Sequence, residues 1–372
     1  IPSIMVILRF ICQLFFISFV FSFPEQDIRA LWIVRDHMVN SKLIDDVVEF
    51  AQENGFNHIF AQVRGRGDAF YNSNFVPKSN LIDSNFDPLI YLISKSKNKD
   101  IKVHAWLNIY YLWSSPQKPP QIDHLFFQKP EWLDRKGDDE YILKKNFLIE
   151  GNKIIIDKEG FFLAPTNPDV NLYLISVISE LTENYQIDGI HYDYIRYHSA
   201  DYGYNKNGLS IFSELNTDGK KLLDEDFNRI FLDYKSNSIT KFVKRANIKI
   251  KNNLPNCIIS AAVKPNIFNA KLTFSQEWDL WLSAGYIDWA VPMNYKTDNN
   301  DFVQNMYIIK DNLPKRFHDK IVVGVSIYNQ SPRSAGKKIN RLRRMSFNNF
   351  SIFSYSTMAE NPHYWRKLRR YF

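Results

Sequence analysis

The stretch Asp188–Tyr197, which reads DGIHYDYIRY, decides the fold and indicates where an active site lies. Its first half is a short apolar strand pattern that ends in a carboxylate, Asp193, and Arg196 follows three residues later. In a parallel α/β barrel, the C-terminal ends of the strands build the active site. A strand that ends in a charged residue therefore makes Asp193 the first candidate for a catalytic residue.

The chain after Glu25 repeats one theme, a short apolar run of strand character followed by a segment with helical periodicity. Apolar residues from Leu43 to Ala51 are spaced as one helical face, and this helix is predicted to end at Asn54 and Gly55. The apolar runs predict eight strands, at Ala30–Val34, His58–Val63, Lys102–Leu107, Gly189–Asp193, Ile258–Val263, Ile287–Pro292, Ile321–Val325 and Ser351–Tyr355. Eight alternations of strand and helix indicate an α/β fold, the (β/α)8 TIM barrel.

A doubly wound sheet is the alternative to the barrel. It is disfavoured because no glycine-rich phosphate loop follows the first strand. The motif GRGDAF after the second strand is not a dinucleotide-binding fingerprint.

The connection between the third and fourth strands, from Asn108 to Asp188, is too long for one loop and one helix. It contains aromatic residues and prolines, and a helix is predicted to begin near Pro168. Long strand-to-helix connections on a barrel usually carry ligand-binding surface. Four aromatic residues of this insertion either stack on sugars or pack the insertion onto the barrel: Tyr110, Tyr111, Trp113 and Trp132.

The composition is that of a globular protein, with 372 residues, 45% hydrophobic and 23% charged. The net charge is +7, with basic clusters at Lys337–Arg344 and Arg366–Arg370. Charge runs of this kind are typical of solvated helix faces. No basic stripe is interleaved with stacking aromatics and no nucleic-acid-binding motif is present, so we expect no nucleic-acid partner.

Residues 1–24 have the pattern of a targeting segment, because Ile4 to Phe23 are almost all apolar. A start at Met5 would make Arg9 the positive region of a signal peptide. Phenylalanine dominates the expected cleavage site, which leaves a retained membrane anchor open, since about 20 apolar residues can cross a bilayer. We expect an exported protein of the periplasm or cell envelope, membrane-associated if the segment is retained, with residues 25–372 forming the barrel.

Polar residues follow the other predicted strands as well, so polar groups are expected to converge at one rim. Together with aromatic side chains they predict a cleft for hydroxyl-rich ligands. Each residue also has a purely structural interpretation. Arg64 could serve only to pair with Asp68, and histidines inside strands are more often core residues than ligands. The predicted substrate-binding residues are Asp36, Arg64, Asp68, His104, Trp106, Asn108, His191, Arg196, Lys264, Asn294 and Tyr295.

Four blocks of sequence, in this order, resemble the bacterial family-ten glycosyl-hydrolase-like proteins, whose members are TIM barrels. The similarity runs from about Arg29 to about Tyr355, and the strand-four block is its most distinctive motif. The resemblance implies hydrolysis of bacterial envelope glycans, including peptidoglycan strands stripped of their peptides, and no cofactor. The blocks are VRGRGDAFYNS, HAWLN, DGIHYDYIRY and SQEWDLWLSAGYIDWAVPMNY.

Glycoside hydrolysis normally needs two carboxyl groups, and Asp193 supplies one of them. The fifth strand ends without an acid, in Lys264. The resembling family often has Asp where this chain has Glu277, so the resemblance makes Glu277 the candidate general acid, with Asp36 and Asp68 in reserve. Asp193, held ionised by Arg196, would then be the nucleophile or electrostatic stabiliser. Alternatively, Glu277 has no catalytic role and stabilises the N-terminus of a helix.

Two other classes of function stay open at this point. The missing acid on the fifth strand favours a carbohydrate-binding barrel without turnover. A metal-dependent hydrolase would use Asp36, His37, His104 and His191, although these lack the compact spacing of a zinc motif. We therefore predict a glycosidase with no bound metal, and keep both alternatives.

Overall fold

The computed structural model describes residues 27–137, 149–150, 153–154, 159–215 and 224–372. The predicted targeting segment, residues 1–24, lies outside these ranges. No helix within them has both the length and the apolar character needed to cross a bilayer.

Eight parallel strands form one sheet, and each begins and ends within two residues of its prediction. The strands are Arg29–Ile33 (β1), His58–Arg64 (β2), Lys102–Asn108 (β3), Gly189–Asp193 (β8), Ile258–Val263 (β9), Trp289–Pro292 (β10), Val323–Ser326 (β11) and Phe350–Phe353 (β12). Their order in the sheet is β10-β9-β8-β3-β2-β1-β12-β11. Within the described residues, four shorter strands lie in the insertion between β3 and β8.

The first and last strands of this order meet and nearly close the sheet into a barrel. Parallel bridges join Ala290 to Ile321 and Met293 to Gly324. The Val322 N–H also donates to the Ala290 carbonyl at 2.9 Å. The predicted (β/α)8 barrel is therefore confirmed.

Helices follow the strands and cover the outside of the barrel. They are Ser41–Glu53 (α1), Pro88–Lys97 (α2), Leu125–Gln128 (α3), Pro168–Asn184 (α4), Lys206–Leu215 (α5), Asp224–Asn253 (α6), Ile267–Phe274 (α7), Trp278–Ser283 (α8), Asn299–Asn312 (α9), Pro332–Arg344 (α10), Tyr355–Glu360 (α11) and Pro362–Leu368 (α12). Helix α1 begins because the Asn40 side chain accepts from the Leu43 N–H at 3.0 Å. It ends before Gly55, whose φ of 70° favours glycine.

The insertion between β3 and β8 has a small sheet structure of its own. Strand Tyr111–Trp113 (β4) pairs with Phe161–Phe162 (β7), and Ile149–Glu150 (β5) pairs with Lys153–Ile154 (β6), both antiparallel. The insertion then leads into α4, which begins at Pro168 as predicted.

The barrel interior is filled by large side chains, so ligands can enter only at its rim. Trp32 packs edge-on against Trp106 with ring centroids 4.8 Å apart, and against His191 at 4.6 Å. His191 also stacks on Phe60 at 4.3 Å. A packed barrel interior of this kind leaves chemistry to the residues at the C-terminal ends of the strands.

Candidate active site

Asp193 ends strand β8 at the rim, and only 6% of it is exposed. It lies opposite Asn108 of the neighbouring strand β3. The backbone N–H of Tyr194 donates to Asp193 Oδ1 at 2.7 Å, and Tyr194 adopts a left-handed conformation with φ of 48°. A positive φ at a tyrosine costs free energy, and this turn fixes the orientation of the Asp193 carboxyl group.

Burial raises the pKa of Asp193 to about 6. The Tyr194 N–H, the charges of Arg196 and Lys264, and the Trp106 indole all oppose this rise, because they stabilise the ionised form. A carboxyl group whose pKa lies near neutrality can give or take a proton at physiological pH. Such a perturbed group among polar residues at the barrel rim is typical of an active site.

Lys264 follows strand β9 and is the cation beside Asp193. Burial and, to a smaller extent, the charge of Arg196 lower the pKa of Lys264 to about 8, against the opposing charges of Glu159 and Asp193. Its ammonium group lies over the Phe274 ring, 4.5 Å from the centroid. The predicted binding residue Lys264 is therefore placed with Asp193.

The SQEW sequence holds the end of strand β9 in place. The Lys264 N–H donates to Gln276 Oε1 at 2.8 Å, and the Trp278 indole N–H donates to the Lys264 carbonyl at 3.0 Å. Gln276 is buried and also donates to the Ala262 carbonyl at 3.2 Å. Through these hydrogen bonds, the motif fixes the backbone position of Lys264.

Arg196 forms its ion pair with a residue that the sequence reasoning did not select. Its guanidinium donates to Glu159 Oε2 at 2.7 Å and to the Tyr197 carbonyl at 3.0 Å. It also lies over the Tyr194 ring at 4.9 Å. Arg196 does favour the ionised form of Asp193, as predicted, but only through its charge.

Glu159 is the second carboxyl group that the structure brings to this cluster. Burial opposes its ionisation, but the charge and hydrogen bond of Arg196 prevail and lower the pKa of Glu159. Its backbone N–H donates to His198 Nε2 at 3.4 Å. In the sequence, Glu159 is marked by the glycine that follows it. Gly160 has a φ of 112° and lies close to the Trp113 carbonyl, so this tight turn requires glycine.

Two further predicted residues lie at the rim beside Asp193. Trp106 donates its indole N–H to Asn108 Oδ1 at 2.9 Å. The Asn108 amide in turn donates to the Gly65 carbonyl at 2.9 Å. Both side chains are buried and held rigidly by these bonds, so they support the wall of the cleft next to Asp193.

The hydroxyl group of Tyr295 is buried and has no hydrogen-bond partner among the described residues. Burial raises the pKa of Tyr295 well above its usual value, and the charge of Asp193 adds to this effect. The ring packs against Phe353 with centroids 5.6 Å apart. A buried hydroxyl without a partner is costly, so this group is suited to bind a ligand.

Arg64 is turned away from the cleft by an irregularity in strand β2. The register shifts between Gln62 and Arg64, so that Arg64 pairs with the outward-facing Leu107. Its guanidinium donates to the carbonyl groups of Asn108 and Ile109. Arg64 therefore supports the start of the insertion, and the pairing with Asp68 considered from the sequence gives way to these carbonyl contacts.

Asp36, Asp68 and Asn294 also make local contacts. Asp36 is 72% exposed and lies 3.9 Å from Arg35 Nε. Asp68 Oδ1 accepts from the Arg66 N–H at 2.9 Å and shapes the loop after β2. Asn294 donates to the Phe302 carbonyl at 2.9 Å and so holds helix α9.

His104 and His191 lie inside the barrel, below the rim, and both are fully buried. His104 Nε2 contacts His58 Nδ1 at 2.8 Å, and His191 Nδ1 contacts Ser260 Oγ at 2.7 Å. Burial lowers the pKa of His191 to about 3 and that of His104 well below its usual value. His104 and His191 are therefore neutral core histidines rather than the substrate-binding residues that the sequence predicted.

The structure does not assemble the metal ligands of the alternative hypothesis. His37 lies near the rim, where its Nε2 contacts Ser356 Oγ at 3.1 Å, whereas His104 and His191 lie in the interior. Across the residues that the structure describes, no group of three or more histidine, cysteine or acidic residues could hold a metal ion.

Glu277, the predicted general acid, forms an ion pair with Lys271 of α7 at 2.7 Å. The hydrogen bond with Glu277 raises the pKa of Lys271, and the charges of Asp233 and Asp279 add to this rise. Asp233 belongs to the outer helix α6, so these groups lie on the outer side of the rim. Glu277 precedes the first turn of α8, as the helix-terminus alternative expected.

The aromatic residues of the insertion mostly pack it onto the barrel. Tyr110 donates to Asn171 at 2.9 Å, and Trp113 donates to the Ser115 carbonyl at 2.9 Å. Trp132 packs against Tyr173. Tyr111 is different, because it stacks on Tyr194 with centroids 4.5 Å apart and so extends the aromatic wall beside Asp193.

Comparison with known proteins identifies the family. The family model described as glycosyl hydrolase-like 10 matches residues 27–338. The chain belongs to the glycosyl hydrolase-like 10 family. The resemblance seen in the four sequence blocks is thereby confirmed.

Curated relatives of this glycosyl hydrolase-like 10 protein include two bacterial proteins. Glycosyl hydrolase YngK of Bacillus subtilis is 23% identical over 335 residues, covering 78% of this chain and 59% of YngK. Glycosyl hydrolase DigH of Escherichia coli K12 is 26% identical over 162 residues, covering 42% of this chain and 34% of DigH. The chain thus spans less than two thirds of either relative.

Solved structures share the fold at low sequence identity. The glycoside hydrolase domain of PgaB (BpsB) from Bordetella bronchiseptica has a TM-score of 0.69 at 9% identity, covering 92% of this chain and 98% of that domain. The catalytic domain of β-amylase from Paenibacillus polymyxa has a TM-score of 0.62 at 10% identity, covering 93% and 97%. Both likenesses show that the chain has the TIM-barrel fold of glycoside hydrolases.

Proposed function

We propose that the chain is a glycoside hydrolase that acts on a bacterial cell-envelope polysaccharide, with peptide-free peptidoglycan strands as the first candidate substrate. The observation that carries this proposal is the buried Asp193 carboxyl at the end of strand β8, whose pKa is raised to about 6 beside Lys264. Membership of the glycosyl hydrolase-like 10 family supports the chemistry. The apolar sequence before Glu25 supports export to the envelope.

The environments of the two clustered carboxyl groups favour different protonation states. Burial raises the pKa of Asp193, whereas Arg196 lowers the pKa of Glu159. Pairs of groups whose pKa values are pushed apart usually divide into acid and base. We therefore assign the proton donor to Asp193 and the ionised carboxylate to Glu159, which reverses the role that the sequence suggested for Asp193.

The reaction then follows the usual two-carboxylate scheme. Asp193 protonates the leaving oxygen, and Glu159 acts on the opposite face of the sugar, either attacking the anomeric carbon or activating a water molecule. Lys264 and Arg196 stabilise Asp193 as a carboxylate after it has given up its proton. The Tyr295 hydroxyl and the Tyr111–Tyr194 stack supply a polar and an aromatic contact for the sugar.

Release of reducing ends tests this proposal. The substrates are peptide-free peptidoglycan glycan, chitin-type oligomers and α-glucan oligomers, and the variants are Asp193→Asn and Asp36→Asn. We expect Asp193→Asn to lose activity by about 10²-fold or more, whereas Asp36→Asn, the same change at an exposed rim position, stays close to wild type. Equal activity of the wild type and Asp193→Asn would contradict the proposal.

A carbohydrate-binding barrel without turnover is the second candidate. It is favoured by the end of strand β9, where Lys264 stands in place of an acid. This function predicts glycan binding without any release of reducing ends. Calorimetric titration with the same three glycans therefore decides between the two candidates when no hydrolysis is seen.

A further inference from the structure

A concave groove of about 450 Å³ lies outside the barrel, between helices α9 and α10. It is separate from the cleft at Asp193. Only three residues separate Tyr295 from Asn299, the first residue of α9, so the α9 side of the groove begins near the rim. Asn299 and Asn300 line one side, and Lys337, Asn340, Arg341 and Arg344 line the other.

The α10 side of the groove carries a stripe of exposed cations. Arg333, Lys337, Arg341 and Arg344 are spaced by four, four and three residues, so they share one face of the helix, and the last three line the groove. Helix α10 contains no acidic residue. Within the described part of the chain, none of these four side chains forms an ion pair. Like charges at this spacing destabilise a helix, and a bound anion would relieve that repulsion.

Other charged groups beside the groove make contacts of their own. Lys338 is buried and donates to the carbonyl groups of Lys296 and Thr297, which ties α10 to the turn before α9. Asp298 caps α9 by accepting from the Asn300 N–H at 2.7 Å. Asp301 lies 3.9 Å from Lys296. Both carboxylates keep their charge, but among the described residues neither forms an ion pair with Arg333, Lys337, Arg341 or Arg344.

The α9 side of the groove adds groups that suit sugars. The asparagine amides can donate to and accept from hydroxyl groups. Tyr307 does not line the groove itself, but it lies one turn beyond the lining residue Val303 on the same face of α9 and is 40% exposed. Amides beside three exposed cations, with an aromatic ring one turn away, match a polymer that carries both hydroxyl and carboxylate groups.

We propose that this groove binds an acidic polysaccharide and holds the polymer beside the active-site cleft. The inference rests on the proposed glycoside hydrolase function, because that function makes a glycan the expected polymer. Nucleic acid would also meet cations and an aromatic ring, but the amide-lined groove and the nearby polar cleft favour a glycan. A membrane surface is disfavoured because a concave groove cannot lie flat on lipid headgroups.

The experiment measures binding of a polygalacturonate oligomer, a carboxylated probe, by calorimetry in the Asp193→Asn background. The groove variant replaces Lys337, Arg341 and Arg344 with glutamine. The charge-matched control replaces Lys42, Lys97 and Lys118, which are exposed elsewhere, with glutamine. We expect the groove variant to bind roughly tenfold more weakly and the control to bind as the parent does.

Salt dependence and two competing ligands test the same inference on the parent protein, without the groove variant. Binding by the parent protein should weaken as salt rises, because exposed charges are screened. Salt-insensitive binding, or equal affinity of groove variant and parent, would overturn the inference. So would tighter binding of a DNA oligomer or of anionic lipid vesicles than of polygalacturonate. Because the assay measures binding alone, its failure is distinguishable from a failure of the hydrolysis assay.

Discussion

Arg196 donates a hydrogen bond of 2.7 Å to Glu159, and this contact joins the turn after strand β8 to the insertion that precedes it. Glu159 is thereby brought to the same cluster as Asp193 and Lys264. The charges of Glu159 and Asp193 both raise the pKa of Lys264. The insertion supplies a carboxyl group to a site whose other members come from strand ends.

The two candidate partners of Asp193 can be separated by substitution. We expect Glu159→Gln to reduce kcat/KM by about 10²-fold or more, because it removes the ionised carboxylate held by Arg196. Glu277→Gln should retain most activity, because Glu277 pairs with Lys271 on the outer side of the rim. Reducing-end kinetics on the same glycan measures both, and the opposite ranking would restore Glu277 as the partner.

The pH dependence of hydrolysis reports the role of Asp193. With a pKa of about 6, Asp193 as proton donor predicts that kcat/KM falls as the pH rises above about 6. Lys264 lowers the pKa of Asp193, so Lys264→Met should raise that pKa and move the fall to higher pH by on the order of one unit.

Lys271→Met is the matched control for this experiment, because Lys271 pairs with Glu277 and should leave the profile in place. If Asp193 were instead the base, kcat/KM would rise through pH 6, and the proposed assignment would be wrong.

Tyr295→Phe tests the buried hydroxyl group beside Asp193. Because the hydroxyl has no partner among the described residues, its removal should leave the melting temperature unchanged or raise it. Loss of a contact to the sugar should lower kcat/KM by roughly tenfold. Tyr192→Phe removes a hydroxyl that also has no partner in the described structure, but Tyr192 packs toward Phe242 of α6, so its kinetics should not change.

The interior histidines predict how stability depends on pH. His191 has a pKa of about 3 in the folded protein, lowered by burial from 6.5. Below pH 6.5 the unfolded chain binds a proton at this residue and the folded chain does not, so stability is lost as the pH falls from about 6.5 towards 3. The slope from one such histidine is about 1.4 kcal/mol per pH unit.

Denaturant unfolding between pH 7 and pH 4 measures this slope. The variant His191→Gln should show a shallower dependence than wild type, because one proton less is taken up on unfolding. His363→Gln, the same change at an exposed position, should show the slope of wild type. Parallel curves for wild type and His191→Gln would mean that His191 titrates alike in both states.

The sequence by itself determined the barrel and the position of Asp193. Strand and helix periodicities are local, and each predicted strand lies within two residues of the observed one. Parallel strands place their C-terminal ends at one rim, so Asp193, Lys264 and Tyr295 could be grouped before any contact was known.

Only the tertiary structure decided which carboxyl group lies in the charge cluster around Asp193 and which predicted polar residues lie away from the rim. Glu159 reaches Arg196 through an insertion whose path no local periodicity encodes. A register shift turns Arg64 outward, and the ion pair with Lys271 occupies Glu277. Such outcomes depend on contacts between distant segments, because burial and the neighbouring charges, which set each pKa and partner, exist only once the chain has folded.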